Sequence, residues 1–175
     1  MKKQNKKILN LFSRYLTIII IGAGNLYLFY KILIPTTLHT TNLILKIFTP
    51  TILIGNTIQT NHALIEIAPS CVAASAFFLL IALILSISNI KPKTRAKALL
   101  TATVTLFTFN IIRILTLIPF INQPYFETLH WIFWHLISIL FVLVAYFTTI
   151  KFYKIKSIPV YSDFKYLKSL TKTKH

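Results

Sequence analysis

Apolar runs long enough to cross a bilayer, separated by clusters of lysine and arginine, constrain this 175-residue chain more than any other feature. An α-helical span needs about 20 largely apolar residues. Three runs meet that length: "PSCVAASAFFLLIALILSIS" (69–88), "LLTATVTLFTFNIIRILTLIPF" (99–120) and "WIFWHLISILFVLVAYFTTI" (131–150). A fourth, "RYLTIIIIGAGNLYLFYKILI" (14–34), places Arg14 and Lys31 where they can snorkel at its ends. A cleavable signal peptide fits that run less well, because its apolar stretch is long and no small-residue cleavage site is evident. The segment "TNLILKIFTPTILIGNTI" (41–58) is short and interrupted by Lys46, Pro50 and Gly55. It reads as an interfacial or re-entrant element. The expected fold is therefore all-α: a polytopic membrane bundle of about four spans, one domain over 1–175, with a basic tail from about 151.

Charge supports that count. The 19 Lys and Arg residues face only Glu66, Glu127 and Asp163, for a net charge of +16. Such a balance also occurs in nucleic-acid binders. Here, however, the cations cluster between apolar runs, as in integral membrane proteins. Four spans with the N-terminus inside place Lys2, Lys3, Lys6, Lys7 and Arg14 on the cytoplasmic side, with the loop "KPKTRAK" and the tail. Only Lys31, Lys46 and Arg113 fall elsewhere, and a fifth span would split the clusters. Both termini of a multi-pass cell-membrane protein are expected in the cytoplasm. The tail "KFYKIKSIPVYSDFKYLKSLTKTKH" reads as a solvated segment on anionic headgroups, with no nucleic-acid partner. With a single cysteine no intramolecular disulfide is available, no spacing suggests zinc, and no cofactor is implied.

This topology brings several unusual residues to the outer leaflet. Cys71 opens its span and Glu66 precedes it in the outer loop. Arg113 lies roughly 10 Å below the outer end of the next span, at 1.5 Å of rise per residue. An intramembrane arginine is costly to insert and normally faces the bundle interior or a wet cavity. Thr103, Asn110 and Arg113 share a helix face roughly 80° wide. Glu127 and His130 open the last span.

Thiol nucleophilic catalysis uses these residue types together. The thiolate is the reactive form and nearby cations favour it. A histidine can take the thiol proton and return it to a leaving amine. An arginine aimed at the carbonyl oxygen can stabilise an oxyanion. Cys71, Arg113 and His130 are thus the candidate catalytic residues, with Asn110, Glu127 and Glu66 as supporting candidates. His135 is five residues from His130, roughly 140° around a helix, so both cannot face Cys71. Flanked by Trp134 and Leu136, it reads as a buried packing or hydrogen-bonding residue and is the alternative third member. His39 and His62 fall in the outer loop and carry no clear signal. Two other classes stay open on the residues alone. In a non-catalytic membrane scaffold, Cys71 is inert packing and carbonyls, Glu66 or Glu127 satisfy Arg113. In a small anion transporter or channel, Arg113 and Asn110 line the path, although no two-half pseudo-symmetry is visible.

The ordered pieces "APSCVAAS", "FNIIRIL" and "LHWIFWHLISILFVLV" resemble the exosortase/archaeosortase family of integral-membrane cysteine transpeptidases. The resemblance covers 65–145 and is nearest the small archaeal-type members. It implies Cys71 as nucleophile, Arg113 as catalytic arginine and His130 as third member. A small residue, often Gly, commonly lies two positions after the family's cysteine; here it is Ala73. The resemblance also implies the substrates: membrane-anchored proteins with a C-terminal sorting signal, a helix and a basic tail. The enzyme would cleave on the outer face through a thioester and pass the protein to an acceptor, a lipid amine being the one suggested for archaeosortases.

Overall fold

The segment "KPKTRAKALLTATV" starts the longest helix, α4 (Pro92–Leu117). Pro92 occupies its first turn, where a missing N–H leaves no bond unmade. Ala98 and Ala102 then present a small-residue stripe with no exposure. That stripe lets α4 pack against α6 (Ser138–Phe152), whose Ala145 is equally buried, and against α3 (Ala74–Leu85) through Phe77, Leu80 and Ile84. The remaining helices are α1 (Lys2–Ala23), α2 (Tyr27–Leu45), α5 (Phe126–Ile132) and α7 (Tyr161–Lys172). The computed structural model describes residues 2–24, 26–61 and 63–172, which include a three-stranded sheet within a mostly helical fold. The expectation of an all-α chain is corrected by that sheet.

Among the described residues two stretches are long and apolar enough to cross a membrane, Pro92–Phe120 and Phe126–Phe152. This corrects the expected four. The run 14–34 is not one rod: Lys7–Ala23 and Tyr27–Leu45 are bent by 70° from each other, and would make a third span only if the pair acts as one. Gly22 and Gly24 weaken the helix at that bend, and Leu26 adopts a left-handed φ of 59°. Gly22 also permits close packing, since an added Cβ would sit 3.1 Å from the Phe78 ring. The run 69–88 yields only the 12 residues of α3 after a 3-10 turn, Pro69–Val72. Ala73, at φ 52° and ψ 38°, breaks the two apart.

The segment 41–58, read as an interfacial or re-entrant element, is part helix and part sheet. Its first residues end α2, and the rest forms a hairpin of β1 (Thr51–Ile54) and β2 (Thr57–Thr60). Ile54 pairs with Thr57 across the two-residue loop Gly55-Asn56. Gly55 takes the positive φ of 59° that such a tight hairpin requires at its first central position. Alternating β-branched residues give one buried face, with Ile58 fully covered. β3 (Leu64–Glu66) adds antiparallel to β2, pairing Ile58 with Ile65. Glu66 therefore lies on a strand rather than in a loop. His39 lies on α2 and is exposed, whereas His62 lies outside the described residues.

The end of the bundle opposite the sheet is closed by charge. Arg14, expected to snorkel, is buried and donates from Nη2 to both carboxylate oxygens of Asp163 at 2.9 Å. Its Nη1 donates to the carbonyls of Ile87 (3.0 Å) and Leu85 (3.3 Å), which end α3. Arg95 donates to the same Ile87 carbonyl at 2.8 Å. Within the tail, α7 is docked on the bundle through Asp163, while most of its other described residues stay exposed. The N-terminal helix, the 85–97 turn and α7 meet at this end, and the sheet lies at the other.

Candidate active site

The break at Ala73 makes the site. A left-handed alanine costs about 1 kcal/mol relative to glycine, and here it turns the chain between the 3-10 turn and α3. Carbonyls of Ser70 and Cys71 are thereby released from helical bonding and face α4. Arg113 Nη2 donates to the Cys71 carbonyl at 2.7 Å and to the Ser70 carbonyl at 3.4 Å. Asn110 Nδ2, one helical turn away, donates to the same Cys71 carbonyl at 3.1 Å. Both α4 residues are buried, Arg113 at 3% exposure.

The other side of Arg113 meets the last helix. Its Nη1 donates to Ser138 Oγ at 2.8 Å. Ser138 Oγ in turn donates to the Phe133 carbonyl, five residues back, at 3.1 Å. That spacing belongs to a π-helical turn, Phe133–Ile137, which joins α5 to α6. Such single turns are frequent at functional sites. Arg113 therefore ties the cysteine turn to the last helix, and acts on Cys71 through its backbone. Nε of Arg113 and Oδ1 of Asn110 are buried without a partner among the described residues.

A cleft of about 370 Å³ opens above this lattice, lined by Cys71, Arg113, His130, Glu127 and Glu66 together with Phe126. Three separate elements thus contribute to one concavity. Cys71 is half-buried, and its Sγ lies 3.9 Å from the Glu66 carbonyl. His130 is half-buried and stacks on Phe126, with ring centroids 5.8 Å apart and planes 5° from parallel. The Phe126 ring holds the imidazole plane, and no hydrogen bond joins Glu127 to His130 among the described residues. Among the described residues neither glutamate bonds Arg113, whose Nη1 and Nη2 go to Ser138 and the carbonyls instead.

Two expectations are corrected. Asn110 does not line the cleft; it sits behind it and supports the backbone. His135 is exposed rather than buried, caps its own helix through Nδ1 and the Trp131 carbonyl at 3.0 Å, and packs between Trp131 and Trp134. It borders a different hollow, beside Ser75. Ser138 and Ser70 were not anticipated. A serine within an apolar helix, eight residues after His130, was the available signal, because a buried hydroxyl needs a partner. No family model, no curated protein and no solved structure matches this chain.

Proposed function

We propose that this protein is a membrane-embedded cysteine transpeptidase that cleaves a C-terminal sorting signal through a thioester. The observation that carries the reading is the single cleft in which Cys71, Arg113 and His130 meet from three separate elements. The Cys71 backbone is fixed there by two buried side chains. Supporting the membrane setting are the apolar side chains left exposed along α4 and α6, among them Leu100, Val104, Leu140, Leu143 and Phe147. A soluble monomer rarely leaves so continuous an apolar surface in water.

In this reading His130 takes the thiol proton, and the Cys71 sulfur attacks a substrate carbonyl carbon. The tetrahedral intermediate collapses as the peptide C–N bond breaks, and His130 returns the proton to the departing amine. An acceptor amine, a lipid amine among the candidates, then attacks the thioester and releases Cys71. Arg113 holds the turn that aims the thiol, and its positive charge beside the Cys71 carbonyl favours a developing oxyanion. Both termini lie in the cytoplasm and the cleft near the outer face. Substrates are membrane-anchored proteins that end in a helix and a basic tail.

The test is isolation of the protein from its native membranes under non-reducing conditions, followed by neutral hydroxylamine. A hydroxylamine-labile protein adduct on wild type, absent from a folded Cys71→Ala variant, is the expected result. Cys71→Ser should also lose it, because an alcohol is far less acidic than a thiol. An identical adduct profile in wild type and Cys71→Ala would return Cys71 to a packing role.

A further inference from the structure

The sheet leaves one edge open beside the thiol. β3 is the outer strand of the order β1-β2-β3. Its ladder parity follows from two bonds: Thr60 N–H donates to the Ala63 carbonyl, and Ile67 N–H donates to the Asn56 carbonyl. In an antiparallel pair alternate residues face the partner strand. Residues 63, 65 and 67 therefore spend their backbone groups on β2, whereas Leu64 and Glu66 turn N–H and C=O outward. No backbone partner meets that side among the described residues. The Cys71 sulfur lies on that side, 3.9 Å from the Glu66 carbonyl. Leu64 to Ala68, Ser70 and Cys71 line the cleft, together with the apolar Ile114, Leu117 and Ile118.

We infer that the free edge of β3 receives the substrate polypeptide as a fourth, extended strand, which carries the scissile bond past the Cys71 sulfur. An unpaired edge is a template for another chain, and proteins ordinarily cover or blunt it. Here it is open where a cleft runs along it, and it ends at a nucleophile. Main-chain pairing with Leu64 and Glu66 supplies affinity independent of side chains, while alternate substrate side chains meet the apolar residues of the cleft. The inference rests on the transpeptidase reading and adds to it the conformation and docking edge of the substrate.

The test uses the detergent-solubilised full chain and measures alkylation of Cys71. The probes are iodoacetamide, a mixed pool of blocked tripeptidyl chloromethyl ketones, and the same pool with its backbone amides N-methylated. Strand addition predicts that the unmodified pool reacts about tenfold or more faster than the N-methylated pool, since each lost edge bond leaves a partner unpaired. Glu66→Pro removes an outward N–H along with the carboxylate and fixes φ, so it should shrink that ratio relative to a Glu66→Ala control, with iodoacetamide rates normalising for any change in the thiol. Equal rates for the two pools on wild type overturn the inference, whatever the variant does. The transpeptidase reading is tested separately by His130→Ala: an iodoacetamide rate no slower than wild type would sink general-base activation, and leave the comparison of peptide pools to stand on its own.

Discussion

Arg113 grips the backbone of Cys71, not its side chain: Nη2 donates to the Cys71 carbonyl at 2.7 Å while Nη1 reaches Ser138. A planar fork with donors on separate nitrogens can hold both at once. The arginine is therefore a clamp between the cysteine turn and the last helix, whatever further part it takes in chemistry.

Arg113→Lys should break that clamp. A lysine ammonium is a point charge without a fixed fork, and losing one charge-assisted bond should lower stability by about 2 kcal/mol. Thermal unfolding in detergent measures the loss, and the hydroxylamine-labile adduct should fall with it. A lysine variant with wild-type melting and adduct would mean that charge alone suffices.

Ala73→Gly should stabilise the protein by about 1 kcal/mol, because glycine adopts the left-handed conformation without a Cβ clash. Ala73→Val should destabilise it, since a β-branched side chain is worse at φ 52° and the site is buried. Melting temperatures that rank Val above Gly would contradict the strained-turn account.

The two histidines should separate cleanly. His130→Ala should reduce adduct formation on the order of 10²–10⁴-fold, the usual range for a lost acid–base group. His135→Ala should leave it within about twofold, as that ring faces its own tryptophans on the exposed side. Equal losses from both substitutions would remove the assignment.

Asp163→Ala should release α7. It would leave Arg14 buried and only partly paired, a change that costs about 3 kcal/mol in comparable pairs. Limited proteolysis should then cut within 161–172 before it attacks α4 or α6. If α7 stays as resistant as in wild type, the ion pair is not what docks it.

The long apolar runs made α4 and the last helix legible, because twenty apolar residues have few other uses. The span count was not, because apolarity reports transfer out of water and says nothing of direction. Ile18 to Ile21 look the same whether the chain continues straight or turns at Gly22 and Gly24. The hairpin was legible in principle from Gly55-Asn56 between alternating β-branched residues, but its isoleucines also suit lipid. The grouping of Cys71, Arg113 and His130 was readable from charge that must avoid hydrocarbon. Ser138 was not, because a neutral hydroxyl in a helix can bond its own preceding turn and so need not declare a role.

The π-helical turn between Phe133 and Ile137 works as a phase shifter. In a straight α-helix, His130 and Ser138 would stand about 80° apart around the axis. One surplus residue in the intervening turn reduces that offset to about 20° on the other side. The imidazole that borders the cleft and the hydroxyl that receives Arg113 thereby come into register on one face. The last helix is read as two gears meshed one tooth out of step. Excising a single residue from 133–137 would let the turn close as plain α-helix with that offset of about 20° kept, whereas retaining the residue and losing the bulge would turn the half that carries His130 by about 100° against the half that carries Ser138.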